Sequence, residues 1–247
     1  MPTEKTQNGN PHGLTIKQHV FPRQSIQRFA NASGFVSVRL LAQDKTVPLR
    51  PGDPVFCARR AWDQSAERGY MRKIENAFEP VAARVAAGGT ALSAAECASA
   101  TAFSALWRRR FHHRGATQPD LRGAVKGDPL TLDQRECLEM NGYSFFGADD
   151  AMPGRMFTGI RIQLEIGRLT PLMDGHGWGV ARAAAGEFLL PDNFGDHAII
   201  PISPKAFLIW GSPDASFGLA QVAELNRFAR GSSVDYLAAR DFAACPV

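Results

Sequence analysis

The sequence predicts an α+β fold in which a helix-rich middle region packs on a mainly antiparallel sheet. Between residues 59 and 173 apolar residues recur every three or four positions, as they do in helices. Between residues 178 and 247 short apolar runs are separated by Gly, Pro and Asp, a pattern typical of antiparallel strands. The alternating run FVSVRLL at 35–41 predicts an N-terminal strand that joins this late sheet.

The helical segments have recognisable starts. Pro22 suits the first turn of a short helix. The sequences SAAE at 93–96 and TLDQ at 131–134 have the form of a capping box and predict two further helix starts. The longest regular pattern runs from Trp62 to Val85, and Pro80 should kink that helix or begin a second one.

The remaining segments complete a single domain. The run 155–173 fits both a strand and a helix, and its length favours a helix. The Pro-rich segment VPLRPGDPVF at 47–56 is expected to be an irregular connector, and VDYLAAR at 234–240 is expected to form an edge strand. Residues 1–13 are polar and predict a flexible N-terminus, which leaves one α+β domain over 14–247.

Composition excludes global disorder and gives a weak indication of partners. Hydrophobic residues make up 45% of the 247 positions, which is ample for a core. The net charge of +4 is compatible with nucleic acid or another polyanion as partner, without requiring one. The four cysteines form no C-x-x-C pair, and neither a secretory signal nor a membrane-spanning run is visible, so we expect a reduced, cytoplasmic protein that does not associate with a membrane.

Several common catalytic motifs are missing from the sequence. It contains no G-x-x-x-x-G-K-[ST], no G-x-G-x-x-G after a strand, no H-E-x-x-H and no G-x-S-x-G. The chain therefore has no nucleotide-cofactor motif, and nucleotide hydrolysis, dinucleotide redox chemistry and zincin chemistry are disfavoured.

Four segments, in order along nearly the whole chain, resemble a known family. They are QHVFPRQSIQRFA at 18–30, RAWDQSAERGYMRKIE at 60–75, FLLPDN at 188–193 leading to IIPISP, and VAELNRFA at 222–229. Together they resemble the bacterial domain-of-unknown-function family 4238. The start of that family resembles His-His-x-x-Pro, and this chain has Gln18 in the first of those positions. Because the activity of the family is unassigned, the resemblance supports the fold more than any reaction.

His19 is the first candidate catalytic residue. It precedes the expected helix start at Pro22, where the positive end of the helix disfavours an imidazolium ion. The ring should therefore be neutral at about pH 7, available as a general base or a metal ligand. The alternative is a structural ring that bonds a backbone carbonyl and stacks on Phe21.

Three further polar residues are candidates for the same site. Glu75 flanks the apolar stripe of the Trp62–Val85 helix and could face a cleft, or it could pair with Arg72 on the surface. Asp192 closes an apolar strand, where it could belong to a site or form a turn. Asn226 lies on the apolar stripe of the last helix, where its amide could line a pocket or fix a loop.

These residues support two functional hypotheses. In the first, His19, Glu75, Asp192 and Asn226 converge on one cleft of a hydrolase-like enzyme, with phosphodiester or nucleic-acid cleavage as its natural chemistry and a divalent metal as a candidate cofactor. The second is a non-catalytic module that binds nucleic acid or a protein through the helix end WRRRFHHRG at 107–115. Its contacts would be Arg108, Arg109, Arg110 and Arg114, although the helix dipole alone also favours cations there.

Overall fold

The computed structural model describes residues 5–115, 119–123, 127–147, 150–173 and 175–247. Within them the helices are α1 Arg23–Gln27, α2 Gln64–Ala66, α3 Arg72–Ala86, α4 Ala94–His113, α5 Leu132–Met140, α6 Gly154–Leu172 and α7 Leu219–Ser232, with a π-helical turn, Glu67–Met71, between α2 and α3. The strands are β1 Lys17–His19, β2 Val36–Leu40, β3 Lys45–Leu49, β4 Cys57–Arg59, β5 Leu121–Arg122, β6 Ala151–Met152, β7 Trp178–Ala183, β8 Leu190–Pro191, β9 Ile199–Ser203, β10 Ala206–Trp210, β11 Ala215–Phe217 and β12 Tyr236–Ala239.

The strands form two four-stranded sheets, rather than the single sheet that we expected, and two small pairs, β1-β4 and β5-β6. One has the order β11-β7-β10-β9 and the other β3-β2-β12-β8. Pairing is antiparallel throughout these sheets except between β11 and β7. The fold is α+β, as predicted, and the N-terminal strand β2 does pair with a C-terminal strand, β12.

Two predictions about strands were wrong. The Pro-rich segment begins within β3, which is an edge strand of its sheet. Pro48 of β3 is in register with Ser37 of β2. An edge position tolerates proline because one side of the strand needs no hydrogen-bond donor. The C-terminal strand β12 lies between β2 and β8 rather than at an edge, and it is buried along its length.

The helices follow the sequence signals closely. Ser93 and Thr131 each cap a helix through a complete capping box, and the ambiguous run 155–173 is helical as α6. Pro80 lies inside α3, so it does not begin a second helix, which was one of the two alternatives that the sequence offered. The irregular part of this region is the π-helical turn before α3, where Gly69 has a φ of −89° and a ψ of −112°.

One hydrophobic core runs from Val20 to Cys245 and draws on the helical region and both large sheets. Its aromatic centre joins α3 to α4, because the rings of Phe78 and Phe103 stack with centroids 4.1 Å apart. Phe21 packs against Trp107 at 4.6 Å and thereby fixes the start of the chain on the same helix. This arrangement holds β1, α3 and α4 side by side.

Buried charges connect the N-terminal segment with α5 and α6. Glu139 is 4% exposed and accepts from Arg60 and Arg155, each at 2.7 Å. Residues before β1, which we expected to be flexible, also contact α5, since the backbone N–H of Gln7 donates to Glu136 at 2.7 Å. Among the helices of the described residues, none combines the length and the apolar character needed to cross a membrane.

Candidate functional site

An open cleft of about 440 Å³ lies between the start of the chain and the π-helical turn with α3. We call it the His19 cleft. Its lining residues are His19, Pro22, Arg23, Gln24, Gln27, Glu67, Glu75, Asn76, Glu79 and Phe103.

His19 is half-buried at the end of β1, where pairing with Cys57 of β4 fixes its backbone. Its Nε2 atom lies 3.1 Å from the carbonyl oxygen of Pro51. A carbonyl only accepts, so Nε2 carries the proton and Nδ1 keeps its lone pair. Nδ1 makes no hydrogen bond with any residue that the structure describes. The imidazole is therefore oriented by one nitrogen and open for proton transfer at the other.

Burial is the main cause of the lowered pKa of His19. The hydrogen bond to Pro51 and the charge of Glu75 act in the opposite direction and offset part of the lowering. The sequence predicted a low pKa through the dipole of a helix start. The following helix α1 has only five residues, so we attribute the lowering to desolvation of the ring.

Arg110 fixes the position of Glu75. Its side chain is 2% exposed, and it forms an ion pair with the carboxylate of Glu75. A second carboxylate, that of Glu67, lies 3.6 Å from the same guanidinium and accepts from the indole N–H of Trp62 at 2.5 Å. Two carboxylates of the cleft are thus held by one buried cation.

The π-helical turn explains how Glu67 and Glu75 reach the same cation. In a regular helix, residues eight positions apart lie about 80° apart around the axis. The π-helical turn, with the non-helical Gly69 inside it, interrupts this regular spacing between Glu67 and Glu75, and both carboxylates reach Arg110.

The other end of the cleft carries Glu79 and two more arginines. Glu79 forms an ion pair with Arg28 on α1. Arg23 lines the cleft, is exposed, and has no acidic partner within the described ranges. Among the cations of the cleft, Arg23 is thus available to a ligand, whereas Arg28 and Arg110 are engaged.

Asp192 lies outside the His19 cleft. It lines a different cavity, of about 390 Å³, together with Val20 and Tyr236. Its carboxylate accepts from the backbone N–H groups of Val234, Asp235 and Tyr236, so it fixes the start of β12. Burial raises the pKa of Asp192 above its ordinary value despite these donors. The turn-forming interpretation of Asp192 fits this geometry better than a shared site with His19.

Asn226 is fully buried, and its amide bonds only to backbone atoms. Its Oδ1 accepts from the N–H of Leu189 at 2.8 Å, and its Nδ2 donates to the carbonyls of Glu187 and Pro246, each at 2.8 Å. These contacts fix the approach to β8 and the C-terminal residues. The structure therefore brings together His19 and Glu75, and it separates both from Asp192 and Asn226.

The arginines at the end of α4 do not form a free basic surface. Arg110 is buried in the His19 cleft region, contrary to the polyanion prediction. Arg108 pairs with Asp196 at 2.9 Å, Arg109 with Glu165 at 3.4 Å and Arg114 with Asp235 at 2.7 Å. Acidic residues distant in sequence supply these partners, which is why the local charge run suggested an open surface.

Within the described residues, no group of three or more His, Cys, Asp or Glu side chains is arranged to hold a metal ion. The sequence did not indicate Asn76 and Glu79 in the lining of the cleft, nor Trp62 and Arg28, which contact its carboxylates. Their side chains meet through tertiary packing, and only the helical spacing of Glu75 and Glu79 could have indicated a shared face.

The described residues thus form an α+β protein whose open cleft holds a half-buried histidine and fixed carboxylates. Comparisons with protein-family models, curated proteins and solved structures found no significant match to this chain. The resemblance of the four ordered segments to family 4238 stays a prediction.

Proposed function

We propose that the protein is a hydrolase in which His19 activates a water molecule directly as general base. The observation that carries this proposal is the geometry of His19 in the cleft: Nε2–H is fixed on the Pro51 carbonyl, and Nδ1 is left without a partner among the described residues. Its lowered pKa keeps the ring unprotonated at neutral pH, as a general base requires.

In the proposed reaction, water donates a proton to Nδ1 of His19 while its oxygen attacks the carbonyl carbon of the substrate. Glu75, which favours the protonated imidazole, stabilises the ion formed in this step. The exposed guanidinium of Arg23 is placed to stabilise the developing oxyanion. His19 then returns the proton to the leaving group as the bond to it breaks. Among the described residues, none that lines the cleft is a Ser, Thr or Cys, so direct attack by water is preferred over a covalent intermediate.

The charges of the cleft favour a carboxylic ester or amide over a phosphodiester. Arg28 and Arg110 are engaged by Glu79 and Glu75, which leaves the charge of Arg23 against that of Glu67 and no surplus of positive charge for an anionic phosphodiester. We therefore place the ester or amide first and keep phosphodiester cleavage as the alternative from the sequence. A cytoplasmic location belongs to the same proposal, supported by the four free cysteines.

The test is hydrolysis of p-nitrophenyl acetate, a p-nitroanilide and bis-p-nitrophenyl phosphate by the full chain. We expect turnover of the ester or the anilide, and a decrease of about 10²–10⁴-fold in kcat for His19→Gln. Glutamine keeps an N–H donor for Pro51 but provides no base. His112→Gln, at an exposed position outside the cleft, is the matched control and should keep its activity. Equal activities of the two variants, or no turnover of any substrate, would contradict the proposal.

A further inference from the structure

A third cavity, of about 260 Å³, lies at the C-terminal end of α4 and shares no lining residue with the His19 cleft. We call it the α4 pocket. One side is formed by Trp107, Arg108, Arg109, Phe111, His112 and Arg114, and the other by the segment 193–197 that follows β8.

We propose that the α4 pocket binds a small aromatic molecule bearing a carboxylate or phosphate group, whose oxygens replace the carboxylate of Asp196 on Arg108. The lining carries three guanidinium groups against one carboxylate. Arg109 and Arg114 take their acidic partners, Glu165 and Asp235, from outside the lining. Arg108 pairs with Asp196, which itself lines the pocket, so an anion that enters the pocket competes with this ion pair.

The ion pair of Arg108 is easy to replace. The Arg108 side chain is 15% exposed, whereas that of Asp196 is 99% exposed. An ion pair with so exposed a partner contributes little, because water solvates the carboxylate of Asp196 nearly as well as the guanidinium of Arg108 does. A ligand anion that enters the pocket can engage the planar guanidinium with two oxygens. Asp196 thus occupies the position of a ligand anion without binding tightly.

Three lining residues of the α4 pocket carry buried N–H groups that lack an acceptor among the described residues. They are the N–H groups of Trp107 Nε1, Arg108 Nε and Arg109 Nε. The indoles of the other tryptophans, by contrast, all donate: Trp62 to Glu67, Trp178 to Thr101 and Trp210 to the carbonyl of Met173. Uncompensated N–H dipoles favour negative charge nearby. The donors and the unequal charges of the lining therefore both indicate an anion.

Aromatic rings supply the apolar side of the pocket. Phe194 meets Trp107 edge-on, with centroids 6.3 Å apart, and the guanidinium of Arg114 lies 3.5 Å above Phe111. Such surfaces pack well against an aryl group. Phenyl phosphate and benzoate are therefore suitable probes, with phenol as the uncharged counterpart.

The experiment follows the indole N–H resonance of Trp107 in the ¹⁵N-labelled full chain during titration, assigned by its loss in Trp107→Phe. We expect a saturable shift with phenyl phosphate or benzoate and a Kd of about 1 mM or tighter. Inorganic phosphate should bind more weakly, and phenol should cause no saturable shift. Failure of both aryl anions to bind, or equal binding of phenol, would overturn the proposal.

Three variants locate the binding. Arg108→Gln should weaken it by about tenfold or more, or 1.4 kcal/mol. Arg39→Gln, which also removes an arginine paired with an exposed aspartate, should leave it unchanged. Asp196→Asn should tighten it several-fold, because the competing carboxylate is gone. Binding that is insensitive to both Arg108→Gln and Asp196→Asn would place the anion elsewhere. His19→Gln should not affect the result, so this test is independent of the proposed hydrolase.

Discussion

Gln18 and His19 are neighbours on β1 with opposite roles. Gln18 is 1% exposed, and its amide accepts from the N–H groups of Ala61 and Trp62 and donates to the carbonyl of Trp62. A neutral imidazole has one donor and one acceptor, so a histidine at position 18 could not satisfy all three groups. By fixing Trp62, Gln18 supports the indole that holds Glu67 in the cleft where His19 lies.

His19 should titrate below 6.5, because burial disfavours its protonated form more strongly than Pro51 and Glu75 favour it. The measurement is an NMR titration of the imidazole resonances, in which His19→Gln identifies the signal. Glu75→Gln should lower the pKa further, since it removes a charge that stabilises the imidazolium. Glu224→Gln, at an exposed position on α7, is the control and should leave it unchanged. A pKa at or above 6.5 would contradict the proposed base.

Asn226→Ala should destabilise the protein by roughly 3–5 kcal/mol, because it leaves two buried backbone groups and one part-buried backbone group without partners. Urea denaturation gives the free energy of unfolding. Arg227→Ala, at the exposed neighbouring position on α7, should change it by less than about 0.5 kcal/mol. Under conditions in which Asn226→Ala is folded, we expect the pKa of His19 in this variant to match that in the wild type. A change in that pKa would give Asn226 a role in the cleft.

At the scale of elements, helix starts were predictable and helix irregularities were not. The capping boxes at Ser93 and Thr131 involve residues three positions apart, so the local sequence contains the whole interaction. The π-helical turn at Glu67–Met71 has no such local motif, and its consequence appears only when Arg110 from α4 meets both Glu67 and Glu75. Pro80, the residue from which the sequence predicted an irregularity in this region, lies downstream of the turn.

Pro80→Ala should stabilise the protein. Proline in a helix interior cannot donate to the carbonyl four residues earlier, here that of Asn76, and costs about 3 kcal/mol relative to alanine. Because proline also restricts the unfolded chain by about 1 kcal/mol, we expect a net gain of about 1–2 kcal/mol. The midpoint of urea denaturation measures it.

Pro153→Ala is the control for Pro80→Ala. Pro153 is the N-cap of α6 and lies outside the helix interior, so its replacement should bring no gain. The carbonyl of Asn76, a residue of the His19 cleft, receives no hydrogen bond from Pro80. Loss of stability in Pro80→Ala would mean that this carbonyl makes another contact that stabilises the native protein.

For the whole molecule, the features that the sequence predicted correctly are those that depend on residues close together in the chain. Periodicity gave the α+β class and most helices. The division into two sheets depends on pairing of β2 with β12, which are nearly 200 residues apart in sequence, and no periodicity specifies that register. The predicted site was half assembled for the same reason: His19 and Glu75 meet through packing of β1, α3 and α4, whereas Asp192 and Asn226 serve the C-terminal strands.

The free energy of unfolding should fall as the pH falls from about 7.5 to about 5.5. Burial lowers the pKa of both His19 and His113 below 6.5 in the folded protein, although Glu165 counteracts this for His113. Below 6.5 the unfolded chain therefore binds protons that the folded chain does not, and each such proton contributes at most about 1.4 kcal/mol per pH unit. Urea denaturation at both pH values gives the decrease. The decrease should be smaller in a variant with His19→Gln and His113→Gln, since the two rings that take up the protons are gone. Any pH-independent destabilisation by these substitutions cancels in the difference between the two pH values. The decrease should be unchanged when the exposed His112 and His197 are replaced instead. An equal decrease in both variants would mean that other groups control the acid sensitivity and that folding does not disfavour protonation of His19 and His113.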